Sequence, residues 1–574
     1  MPLDCNLLGV LAMSQRRFVR GLAGCVAVMV CAGVMTWCAP VLAASVTPQE
    51  AALRIDRLLA QELADAEHAP PSSAKPAPVP QADDVTWLRR VYLDLLGELP
   101  SPEEITAFAL DKSADKRPQQ IARLVDDPRY GENWARYWRD VILSRRTDER
   151  ALLAAGSATQ WLAEQFNQGV SWQRIAHDLV TATGELGEDG RTALIASQWG
   201  QVPETAAEVS RVLMGVQIQC AQCHDHKTDR WKRTQFHELA AFFPRIVIRP
   251  VIEADGKRRG FELLSKDDFA QRQQKKVGKK PNPRFEHYMP DLDDPAAEGT
   301  LMQPVFFVTE QKMEIGASDA ERRATLADWI VSADNPWFAQ ALVNRLWAEL
   351  VGEGFYEAVD DIGPDKDCRA PNTLNLLTSQ FIASGYDLKW LLQTIAATEV
   401  YGRESRQRAA GAVAFEANCP QPLRADQVFN NLASRLGVEE GSNERLKKAA
   451  LRPNGSPRSM FVAKFGFDPS DPRDEHTASI DQALMLMNTP ALARALSARA
   501  TRAQTAGTLL SRLLEDKDDD AVIAELYLRL FAREPKPSEL ATCRDYLLEV
   551  GDRDEAFEDI LWSLVNSTEF LYRD

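Results

Sequence analysis

Beyond residue 43, the 574-residue chain has no apolar run long enough to span a bilayer, so no further membrane segment is expected. It also lacks a G-x-S-x-G motif, a P-loop and a dinucleotide fingerprint, and hydrolase chemistry therefore has no positive support. Basic residues are not in excess: 67 Lys and Arg face 83 Asp and Glu, and the net charge of -16 argues against a nucleic-acid partner. Cysteine is scarce. Of nine, Cys5, Cys25, Cys31 and Cys38 fall in the first 43 residues, which leaves Cys220, Cys223, Cys368, Cys419 and Cys543. An odd number of thiols in a long chain of 45% hydrophobic composition does not make a disulfide scaffold.

The first 43 residues read as an export signal. Arg16, Arg17 and Arg20 form a positive start, Gly21 to Cys38 is uncharged and apolar, and Val41-Leu42-Ala43 offers small residues for cleavage. The expected location is therefore periplasmic or secreted. The alternative is a membrane anchor through an uncleaved signal.

Residues 44–82 are expected to form one amphipathic helix, carrying Ala52, Ile55, Leu58, Leu59 and Leu63, followed by a Pro-rich linker. Residues 83–248 read as a helical domain. Ser101-Pro102-Glu103-Glu104 is a helix start with a Ser cap, Pro in the first turn and Glu placed for a capping box. Residues 249–318 read as an irregular, partly β insert whose lysines and arginines are those of a solvated loop. Residues 319–574 form a second helical domain, so the expected class is mainly α. The spacing of Tyr92, Leu93, Leu95, Pro100, Pro102 and Glu104 recurs in Tyr527, Leu528, Leu530, Pro535, Pro537 and Glu539. Both ends are therefore expected to fold as similar helical hairpins.

The chemistry concentrates at Cys220-Ala221-Gln222-Cys223-His224. Two cysteines three positions apart followed by histidine is the spacing of a c-type haem attachment site, in which the thiols bond the porphyrin edge and the imidazole ligates iron. A haem c held by Cys220, Cys223 and His224 in an exported protein implies electron transfer with a redox partner protein. The sixth position is left open or filled by His177, His287, His476 or a methionine. His224, His226 and His237, three of only seven histidines, lie within fourteen residues. That crowding admits a haem-free site for Zn or another transition metal built from Cys220, Cys223, His224, His226 and His237. A third reading is a structural or binding protein with a Cys220–Cys223 disulfide. The stripe Val209, Val212, Leu213 and Val216 places the cysteines at a helix end, and Thr234 is expected to cap the next helix.

Two weaker constellations stand apart. Asp516-Lys517-Asp518-Asp519-Asp520 lacks the glycine and terminal glutamate of a calcium loop and reads as a solvated turn between helices. Asp360-Asp361 offers paired carboxylates, but adjacent acids usually point apart.

The chain resembles the planctomycete-type secreted proteins that pair a cytochrome-like domain of unknown function with a second such domain. The first half of the likeness rests on Leu88 to Leu95, Tyr130 to Trp134, Trp138 with Asp140, and Cys220 to Phe243. The second rests on Asn335 to Phe338, Val343 to Trp347, Asp360 to Gly363, Gly385 to Lys389, Phe467 to Pro469, Gln482 to Leu484 and Asn566 to Phe570. Thr228 and Arg230 stand where the family more often has an aromatic residue and a proline. The extra cytochrome c module of many members is not found in this chain.

Overall fold

The computed structural model describes residues 46–66, 79–267, 285–407, 413–438, 456–472, 479–499 and 507–574. Residues 1–43, read above as an export signal, most of the Pro-rich stretch, the lysines from 275 to 280 and His476 lie outside them. The fold is mainly α, and residues 44–574 form a single compact unit. Among the described residues no helix is long and apolar enough to cross a membrane.

Helix Pro48–Ala66 turns Ala51, Ala52, Ile55 and Leu59 inward against helices Pro371–Ala383 and Leu388–Ala396. Ala370 cannot cap the first of these two, and Glu62 does so from outside: its carboxylate accepts from the Asn372 and Thr373 amides at 2.7 and 2.8 Å.

The two hairpins have the same helix order. Asp84–Leu96, Pro102–Leu110, Lys116–Val125 and Pro128–Leu143 are matched by Asp519–Phe531, Pro537–Val550, Arg553–Val565 and Thr568–Leu571. Ser101 and Glu104 form the expected capping box. The first helix of each set ends in a left-handed residue, Gly97 at φ 71° and Ala532 at φ 60°. A Cβ on Gly97 would stand 2.6 Å from the Asn133 Oδ1. Asn133 cannot yield, because its amide nitrogen holds the Asp94 and Leu95 carbonyls. Gly97→Ala is therefore expected to cost about 2–3 kcal/mol, strain and overpacking together, although the matching position tolerates Ala532. Equal urea midpoints for the variant and the natural chain would contradict this account.

The small β component follows the helical run. Ile246–Ile252 pairs antiparallel with Arg258–Ser265, whose other edge takes the two-residue strand Gly184–Glu185. One apolar core runs from Ala51 through Trp138 and Trp172, whose rings lie 4.3 Å apart, to Phe415. A second gathers residues 423–570 and receives Leu93 and Leu99 from the first hairpin.

Buried arginines fasten these parts. Arg573, 3% exposed, donates to the Asp94 carboxylate at 2.8 Å, the Leu350 carbonyl at 2.7 Å and the Asn418 side-chain oxygen at 2.9 Å. Arg90 donates to the carbonyls of Tyr401, Arg403 and Asp574. The chain's last residues are thereby tied to the helix that opens the first hairpin.

Candidate functional site

Helix Val202–Met214 carries the apolar stripe toward the cysteines but stops short of them. Gly215 takes a left-handed conformation at φ 65°, and its amide bonds back to the Arg211 carbonyl at 3.0 Å. The cysteines thus lie beyond the helix end, Cys220 in a tight 3-10 turn over Ile218–Gln222 and Cys223 directly after it, because the glycine breaks the helix before the apolar pattern runs out. With three residues per turn, positions i and i+3 eclipse. Ile218 and Ala221 accordingly point into the core, while Cys220 and Cys223 are both exposed free thiols.

The following loop is fixed by its own polar groups. The exposed His224 has its Nδ1 2.8 Å from the Asp225 carbonyl. The Asp225 carboxylate accepts from the Arg233 amide at 3.0 Å and from Lys232 Nζ at 3.1 Å, and these two bonds lower its pKa. Helix Arg233–Ala240 therefore starts ahead of Thr234. Its box is made by the Gln235 side chain, which accepts from the Lys232 amide, so Thr234 is not the cap. The His226 amide donates to the Trp231 carbonyl at 2.8 Å, and its Nδ1 accepts from the Thr228 amide at 3.3 Å. Trp231 anchors the loop edge-on against Phe307.

His237 is turned inward. It is 2% exposed, with Nε2 3.0 Å from the Gln222 carbonyl and Nδ1 2.9 Å from His287 Nε2. A carbonyl only accepts, so His237 carries its proton on Nε2 and accepts from His287 through Nδ1. Burial pushes both imidazoles down, His287 to about 4 with help from the neighbouring His237. Of the five residues of the metal alternative, His237 has both ring nitrogens engaged beneath the turn, and His226 uses Nδ1 within the loop. Among the described residues no three His, Cys, Asp or Glu side chains are grouped to share an ion. His177 faces Asp328 at 3.5 Å.

The loop from Asp360 to Lys366 embraces the hairpin from the other half of the chain. At its base the Ile362 amide donates to the Gly215 carbonyl at 2.8 Å, and Gln217 donates to Asp360 at 2.8 Å. At its tip Arg230 pairs with Asp365 at 2.8 Å, and Lys366 reaches the Thr228 hydroxyl at 3.3 Å. Between them Gly363 leaves no room for a side chain, since a Cβ there would stand 1.9 Å from Asp229 Oδ2.

Asp360 and Asp361 do point apart. Asp361 pairs with Lys366 at 2.7 Å, whereas Asp360 is 1% exposed and faces three guanidiniums: Arg211 at 2.8 Å, Arg345 at 3.7 Å and Arg145 at 3.8 Å. Burial alone would raise the Asp360 carboxyl, but Arg345, Arg211 and Arg145 outweigh it and hold it below the usual range. Glu208 and Ser470 complete the arginine contacts. Sequence reasoning missed this hub. The signal available was Glu208 and Arg211, charges three apart within an apolar stripe.

Residues 54–247 match the family described as PSCyt2, protein of unknown function (DUF1549), and residues 322–435 match PSD1, protein of unknown function (DUF1553). The chain belongs to the paired-domain proteins, with the cytochrome-named domain first. No curated protein and no solved structure matches it.

Proposed function

We infer that this is an exported cytochrome-like protein in which Cys220 and Cys223 carry one covalently attached haem c and His224 is its axial ligand, serving electron transfer to a redox partner protein. The observation that carries this reading is the pair of free, exposed thiols in and directly after a 3-10 turn, with an exposed imidazole next in the chain. Thiol, thiol and imidazole are the donor set that a covalent haem requires. When bound, the haem supplies one-electron exchange. The protein's part is positional: Ala221 and Ile218 seat the turn, His237 holds the Gln222 carbonyl, and Asp225 steadies the loop through Arg233 and Lys232. An exposed site also suits brief contact with a partner.

The test is the intact mass of the chain produced with cytochrome c maturation machinery. The expected result is a gain of one haem that survives denaturation and disappears in the Cys220→Ser, Cys223→Ser double variant. An unmodified mass, or the loss of two hydrogens that marks a Cys220–Cys223 disulfide, overturns the reading.

A further inference from the structure

Away from the cysteines, helices Pro128–Leu143 and Ala155–Asn167 run side by side and border an open groove of about 720 Å³. That volume is in the range of small-molecule sites. The helices touch at one end, where the Gly131 amide donates to Asn167 Oδ1 at 3.0 Å and a Cβ on Gly131 would stand 2.6 Å from the Ala163 carbonyl. Gly156 lines the groove as well, and a Cβ there would meet nothing within 4 Å.

The two walls differ in chemistry. One carries Arg136 and Arg139, and Arg458 joins them from helix Pro457–Phe465. The buried carboxylate of Asp426 accepts from Arg139 at 2.6 Å and Arg458 at 3.1 Å, and Arg139 also pairs with Asp140 at 2.7 Å. Arg136 has weaker company: a 3.4 Å contact with the neutral Asn430 amide oxygen and another with Glu132, which is 57% exposed. Burial and the neighbouring Arg458 charge both act against this guanidinium. An anion in the groove would complete it, and a carboxylate matches its fork. The facing wall offers the Thr159 hydroxyl, which donates to the Ala155 carbonyl at 2.8 Å, and Gln160, which donates to Glu164 at 3.2 Å, oxygens that can still accept from hydroxyls, and none of the described lining residues is aromatic.

We propose that this groove binds a hydroxylated carboxylate of about disaccharide size, with Arg136 holding the carboxylate and the facing wall its hydroxyls. The site is independent of any haem.

The test is calorimetric titration of the full chain at fixed ionic strength with three probes. Lactobionate has both features, lactitol only the hydroxyls and octanoate only the carboxylate. Lactobionate is expected to bind saturably, and the other two at least tenfold more weakly. Arg136→Gln should weaken lactobionate by tenfold or more, with Arg136→Lys between it and the natural chain. Thr159→Trp, which fills the groove from the facing wall and leaves the arginines in place, should abolish binding. It decides the matter if the arginine variants do not fold. No saturable lactobionate binding, octanoate binding as tight as lactobionate, or unchanged affinity in a folded Arg136→Gln or Thr159→Trp variant overturns the proposal.

Discussion

Asp360→Ala is expected to lower stability by about 3–5 kcal/mol, among the larger effects available to a single substitution in this chain. The carboxylate is 1% exposed and is the common counter-charge of Arg211 and Arg345, which are 5% and 3% exposed and cannot reach water to be resolvated, and of the more open Arg145, which also pairs with Asp468. Its removal also strands Gln217, the residue that opens the cysteine-bearing turn. The loss should therefore register in faster hydrogen exchange of the backbone amides of that turn as well as in urea unfolding. Asp360→Asn keeps the shape and should cost less at neutral pH. The sign of the pH effect is set by the lowered pKa. The contribution of the charge is fully present above the unfolded value of about 4 and is lost as pH falls through the lower folded value. The stability gap between the natural chain and Asp360→Asn should accordingly narrow on acidification. A gap that widens, or unfolding curves that coincide at pH 7, would remove Asp360 from this role.

Arg573→Ala should be comparably damaging, again by about 3–5 kcal/mol, because it leaves the buried Asp94 carboxylate uncompensated and frees the Leu350 carbonyl and the Asn418 side chain. Arg573→Lys should recover little, since a single ammonium on a flexible stem does not reproduce the planar fork that reaches both sides at once. Arg544→Ala is the control. Its partner Asp520 is 49% exposed, the arginine 53%, and no measurable change in the unfolding midpoint is expected. If Arg544→Ala and Arg573→Ala shift the midpoint alike, burial is not what gives these pairs their weight.

The features legible in sequence were those encoded by neighbours along the chain. The Ser101–Glu104 box, the solvated turn at Asp518 and the matched hairpins each depend on spacings of a few residues, and the structure has them where the spacing puts them. The divergence of Asp360 and Asp361 was legible for the same reason. Two expectations failed locally. The helix before Cys220 ends at Gly215, because a left-handed glycine overrides an apolar pattern that the 3-10 turn goes on using for Ile218 and Ala221. Thr234 is displaced as a cap by the Gln235 side chain, with Asp225, eight residues upstream, holding the Arg233 amide. The Asp360 hub was illegible for a different reason. Its partners lie up to 215 residues away along the chain, and nothing in local composition says which buried arginine meets which acid. His237 was half legible: its place beside an apolar stripe suggested burial, but its partner His287 sits in the insert.

The bond between the Ile362 amide and the Gly215 carbonyl, with Gln217 on Asp360 beside it, joins two points of the chain that the entire insert separates. The chain that leaves Gly215 is thus brought back to the same spot at Ile362. Lengthening such an excursion is cheap, about 0.6 kcal/mol of closure entropy for each doubling of a flexible loop. The turn that bears Cys220, Cys223 and His224 is thus clamped by two bonds that do not run through the intervening segment, so a longer flexible stretch within that segment would leave this clamp unchanged.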